Sequence, residues 1–173
     1  MNEIVLHHFS ESPSIARFVP HVPRTNPEHR RAVWAIDAEH APLYWFPRDC
    51  PRVAIWPLRP DDLAMFQHRF ATSAPRIHAI ESGWLERMRA AQLYRYDFDP
   101  HDFYPWDEAD GQWISEREVV PLRVEPVGDL LAAHAAAGIE LRVVPSLWPL
   151  HDIARRGEFD FSIVRMHNAR PRD

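Results

Sequence analysis

Seventeen prolines set against five glycines divide this chain into short pieces. Each proline fixes φ and removes a backbone donor, so it belongs in a turn, a first helical turn or a sheet edge. Loops stiffened by proline are expected, and a glycine-rich phosphate loop is not. Between the prolines lie short apolar segments with a period of two. The first of them, Ile4-Val5-Leu6-His7-His8-Phe9-Ser10, organises the rest. Ile4, Leu6 and His8 share one face of a strand, and Val5, His7 and Phe9 share the other. The strand ends in two imidazoles and a hydroxyl, so it can present polar groups at the edge of a buried sheet. Pleat alternation makes His7 and His8 opposites. His8 is the candidate for a site, with His7 packed or solvated behind it.

The same reading predicts strands at 32–36, 52–56, 76–81, 92–98, 112–115, 118–127, 140–144 and 161–166. Pro121 and Pro126 push the 118–127 strand to an edge or give it bulges. Short helices are expected at 13–18 after Ser12, 37–46 after Asp37, 61–70, 84–91 capped by Ser82, 129–137 and 147–156. The segments 20–31 and 99–110 read as loops, the first bearing His21, Arg24, His29, Arg30 and Arg31. Strands dominate and do not alternate regularly with helices. The expected class is α+β, in a single domain over residues 1–173.

Composition narrows the chemistry. All 20 basic residues are Arg, which removes P-loop, Schiff-base and kinase-type lysines. A net charge of -5 disfavours wholesale nucleic-acid binding, although local Arg groups can still grip phosphates. Cys50 is alone, so there is no intrachain disulfide and a reducing compartment is expected. The acidic N-terminus does not read as a signal peptide, and no run approaches the ~18 apolar residues of a membrane helix. A cytoplasmic protein without a membrane partner is the expectation. Adjacent His7 and His8 cannot both grip one ion, and no H-x-x-x-H or C-x-x-C spacing exists, so no metal is expected. Cys50 reads as a buried inert thiol ahead of a nucleophile; a hydrolase built on it would need it exposed beside an imidazole.

Four stretches, His8-Phe9-Ser10-Glu11, Val33-Trp34-Ala35-Ile36-Asp37, Pro47-Arg48-Asp49-Cys50-Pro51-Arg52 and Ser162-Ile163-Val164-Arg165-Met166, resemble a family of bacterial domains of unknown function. Three motifs also resemble the ADP-ribosyltransferase superfamily. They are His8 before Phe9-Ser10, the aromatic step at Trp34 or Tyr44, and Glu118 of Glu-Val-Val-Pro. That resemblance implies a split β-sandwich with a few peripheral helices, clasping NAD as substrate. His8 would hold the ribose beside nicotinamide, with Ser10 next to it. Trp34 and Tyr44 would sandwich the ring. Glu118, or Glu116 two residues earlier, would stabilise the charge as nicotinamide leaves. The pyrophosphate would fall to arginines such as Arg24 or Arg48. A related RNA 2′-phosphotransferase, or a non-catalytic domain that binds a nucleotide-like small molecule, RNA or a protein, is the alternative. The acceptor and oligomeric state stay open.

Overall fold

The computed structural model describes residues 5–23, 28 and 30–172. Ile4, Arg24 and His29 lie outside the described residues. In chain order the strands are β1 (Leu6–Ser10), β2 (Val33–Ile36), β3 (Arg52–Trp56), β4 (Ile77–Glu81), β5 (Tyr94–Phe98), β6 (Tyr104–Pro105), β7 (Gln112–Ser115), β8 (Arg123–Pro126), β9 (Glu140–Val144) and β10 (Asp160–Val164). The α-helices are α1 (Leu63–Phe70), α2 (Leu85–Ala90), α3 (Leu130–Ala136) and α4 (Trp148–Ala154). The fold is α+β, with two sheets and four short α-helices among the described residues. No helix among the described residues is long and apolar enough to cross a membrane.

The chain divides into two compact units. The first comprises Met1–Trp45 and Gln92–Val127; the second comprises Phe46–Ala91 and Gly128–Asp173. The first unit is a six-stranded sheet in the order β6-β7-β2-β1-β5-β8. Its registers fix the faces, because paired residues project to the same side. His7 pairs with Ile36 and Asp97, while Leu6 pairs with Phe98 and His8 with Tyr96. The face bearing Leu6, Tyr96, Phe98, Val33 and Ala35 carries this unit's apolar core, closed by Phe18, Phe103 and Val119. Tyr96 ties the covering loop down: its hydroxyl donates to Ser12 O at 2.6 Å and accepts from Ile15 N at 3.0 Å. The opposite face bears His7, Phe9, Arg95, Asp97, Arg123 and Glu125.

The second unit is a four-stranded sheet in the order β10-β3-β4-β9, antiparallel except for the parallel pair β4–β9. All five residues of β4 are buried, as expected of a strand covered on both faces. Ile77 and Ala79 join Val53, Ile55, Phe66, Phe70 and Phe159 in one core. His78 and Ile80 alternate to the other face, and His78 meets His134 of α3 there. Asp129 caps α3 by accepting from Leu131 N and Ala132 N at 2.8 and 3.0 Å, and Gly138 follows with φ +68°.

Several local expectations change. No helix forms at 13–18; Phe18 instead bridges to Val119 as an isolated strand contact. The long 118–127 strand contracts to Arg123–Pro126, because Pro121 has no N–H for the ladder. The 99–110 loop holds a 3-10 turn, Pro100–Asp102, and the two-residue β6. Asp37 accepts from His40 N at 2.8 Å and closes the turn before the 3-10 helix Ala41–Tyr44, whose N-cap is His40. Ser82 begins a 3-10 turn and makes no side-chain cap; Trp84 occupies the N-cap of α2.

Candidate functional site

On β1 the two imidazoles part as the pleat requires, and each is fixed by an acceptor. His8 Nδ1 donates to Trp34 O at 3.0 Å, and its ring meets Phe18 edge-on at 4.9 Å. His7 Nδ1 donates to Asp97 Oδ1 at 2.7 Å.

The residues expected to form one cleft are distributed over two faces and two units. His8 and Ser10 lie on the core-side face of the first sheet; Ser10 Oγ accepts from Ser12 N at 3.1 Å. Trp34 pairs with Ile114 on the opposite face, where its ring meets Trp106 at 5.5 Å. His8 therefore bonds the Trp34 backbone, while the Trp34 side chain springs from the opposite face of the sheet. The Tyr44 hydroxyl accepts from Gln112 Nε2 at 3.3 Å, and Gln112 pairs with Ile36 on the Trp34 face. Glu118 is half exposed and bonded to Arg17 Nη1 at 2.7 Å. Glu116 is likewise on the surface, paired with Arg30 at 2.8 Å. Arg48 is exposed and belongs to the second unit.

What the first unit does bring together is a charge network around Asp97, behind the imidazole expected to be merely packed or solvated. The Asp97 side chain is 2% exposed and receives four N–H donors from three residues. His7 Nδ1 and Arg95 Nε, at 2.7 and 2.8 Å, share Oδ1. Arg123 Nε and Arg95 Nη2 converge on Oδ2. Arg95 Nη2 also reaches Glu125 Oε2 at 2.6 Å. Burial by itself would raise the Asp97 carboxyl; the bonds from Arg95, Arg123 and His7 outweigh it and hold it below the usual carboxylate range. Burial lowers His7, against the pull of Asp97, so the ring is neutral near pH 7.

A carboxylate can only accept, so Nδ1 of neutral His7 carries the proton and Nε2 carries the lone pair. This is the geometry of an imidazole oriented by a buried acid. The His7 side chain keeps 11% exposure, while the flanking Arg95 and Arg123 side chains are 32% and 57% exposed. The sequence held a usable signal. Arg95-x-Asp97 and Arg123-x-Glu125 are spaced by two, so each pair shares a strand face, and the charges of the two strands are complementary.

The second unit holds a different imidazole pair. His134 Nδ1 donates to Leu130 O at 2.7 Å, so His134 Nε2 must accept from His78 Nδ1, 2.9 Å away. His78 Nε2 is then a buried acceptor with no hydrogen-bond partner among the described residues. Cys50 is fully buried, and burial pushes its thiol up to about 12. The hydrolase reading that required an exposed Cys50 is lost. Among the described residues no cluster of three or more His, Cys, Asp or Glu is arranged to hold a metal ion.

No curated protein and no solved structure matches the chain. Nothing in the comparisons carries the ADP-ribosyltransferase resemblance. A family model does match, over residues 7–169, and takes in all four stretches from His8 to Met166 noted in the sequence. The chain belongs to the family that model describes, a family of unknown function (DUF6886).

Proposed function

We propose that the first unit performs proton-transfer chemistry on an anionic, nucleotide-like small molecule, with His7 as general base. The observation that carries this reading is the bond from His7 Nδ1 to the buried Asp97 carboxylate. It fixes the tautomer, and burial keeps the ring unprotonated, so Nε2 is available to take a proton from water or a substrate hydroxyl. Arg95 and Arg123 supply further N–H groups beside it for phosphate or carboxylate oxygens. Asp97 and Glu125 offset their charge, so this contact would be directional more than attractive.

A second reading keeps NAD as substrate, with His8 and Glu118 as its residues. One observation favours it. His8 meets Phe18 edge-on, and the Phe18 backbone is bonded to Val119 N and O at 2.9 and 2.8 Å, so the backbone next to Glu118 is tied to the residue that covers His8. Against it, Glu118 is engaged by Arg17 at the surface.

One experiment separates the two. NAD, ADP-ribose, AMP and inorganic pyrophosphate are each tested for a rise in melting temperature, and NAD for consumption. Loss of turnover in His7→Asn with Glu118→Ala unaffected supports the His7–Asp97 site. The reverse pattern supports the NAD-cleaving site. If none of these molecules raises the melting temperature and NAD is not consumed, both readings fall.

A further inference from the structure

β8 is an outer strand of the first unit's sheet, and the chain around it exposes three large apolar side chains. Val120 is 62%, Leu122 66% and Val124 41% exposed. An apolar edge of this kind invites another strand. The backbone limits which strand fits. Val127 N donates to Leu93 O at 2.8 Å, in register with the pairs Glu125–Arg95 and Arg123–Asp97. Those alternate pairs exchange bonds with β5, so Val124 turns its own N–H and C=O outward. Leu122 N is spent inward on Asp97 O at 2.8 Å. Pro121 and Pro126 have no N–H at all. The edge therefore offers one donor–acceptor residue, Val124, flanked by a half-exposed cation, Arg123, and a half-exposed anion, Glu125, which also bond Asp97 and Arg95 of their own sheet.

We propose that β8 pairs antiparallel with β8 of a second copy of this chain, about a twofold axis at Val124. A long foreign strand would face missing donors on both sides of Val124. The chain's own β8 needs only what is there. Each Val124 N–H reaches the partner's Val124 carbonyl. The same twofold sets Arg123 opposite Glu125 of the partner subunit, and Glu125 opposite Arg123 of the partner subunit, at the closer, non-hydrogen-bonded positions. Leu122 meets Pro126 of the partner subunit on the apolar face. Arg-Val-Glu read backwards is Glu-Val-Arg, and that self-complementarity selects a second copy as the occupant.

Val124→Cys and Val143→Cys test it directly. Val143 lies on β9, an outer strand of the other sheet, and is also 41% exposed, so it serves as an exposure-matched control. The native Cys50 is buried and does not compete. Mild oxidation is expected to link Val124→Cys into a species of twice the chain mass and to leave Val143→Cys largely single. In sedimentation equilibrium the wild type is expected to self-associate, more weakly at high salt. Val124→Pro and Leu122→Glu, checked as folded by circular dichroism, are not. The proposal is overturned if the wild type stays monomeric up to its solubility limit. It is equally overturned if the two cysteine variants cross-link alike, or if folded Leu122→Glu self-associates like the wild type.

Discussion

Asp49 and Arg165 both hold left-handed backbone, at φ 65° and 58°, and their side chains form an ion pair at 3.5 Å. Asp49 is the third residue of the turn closed by Cys50 N to Pro47 O at 3.1 Å, a position where a positive φ favours glycine. Its carbonyl also accepts from Asn168 Nδ2 at 2.8 Å. The stretches Pro47–Arg52 and Ser162–Met166 therefore meet at two strained residues. Asp49→Gly and Asp49→Ala lose the same carboxylate, and only the glycine relieves the backbone. The glycine variant is expected to be the more stable by about 1–2 kcal/mol in urea denaturation. Equal midpoints would remove the strain argument.

Among the described residues, period-two alternation finds eight of the ten strands to within a few residues and β8 in part, and it separates His7 from His8. Chemistry that depends on partners far along the chain was not legible in the same way. Asp97 looks like one charge in an alternating strand until β5 is known to lie against β1, ninety residues away. Trp34 and His8 each read well as cleft residues, yet their faces depend on the register of β2 against β1. A slip of one residue would reverse it. Glu118 failed to enter a strand because Pro121 withdrew a donor, and an exposed Glu finds the nearest surface Arg.

The Cys50 thiol gives a second test. With its pKa pushed up to about 12, roughly one thiol in ten thousand is ionised at pH 8. An aromatic disulfide reagent at that pH is expected to leave the folded protein unreacted and to titrate one thiol per chain after denaturation. Rapid reaction in the folded state would show that the site opens.

The His78–His134 pair predicts a loss of stability on mild acidification. Burial, then His134, Arg76 and Arg52, hold His78 well below its ordinary pKa, and burial lowers His134 against its bond to Leu130. The unfolded chain takes up these protons as pH falls through 6.5 and the folded protein resists. Their contribution is complete above pH 6.5 and declines below it toward the folded values. The expected slope approaches about 1.4 kcal/mol per pH unit from His78, with a smaller addition from His134. Denaturant midpoints from pH 7.5 to 5 measure it. Nitrogen-15 spectra should show both rings protonated at Nδ1; an Nε2-protonated His134 would break the assigned chain of donors.

Asp97→Asn is expected to cost nearly as much as Asp97→Ala, even though it preserves shape. Every partner of the carboxylate is a donor, and an amide brings two N–H groups of its own. Placed at Oδ1 they oppose Arg95 Nε and His7 Nδ1; placed at Oδ2 they oppose Arg123 Nε and Arg95 Nη2. Neither orientation satisfies the site, and both leave two guanidinium groups without their buried anion. Losses of roughly 3–5 kcal/mol are expected for such a broken buried pair. His7→Asn removes a single donor and leaves Arg95 and Arg123 on Asp97, so it should fold with a much smaller loss. This asymmetry makes His7 the usable probe of activity and Asp97 the probe of the fold. Urea midpoints for the three variants decide it: an Asp97→Asn variant within about 1 kcal/mol of wild type would mean that the network does not hold the sheet together.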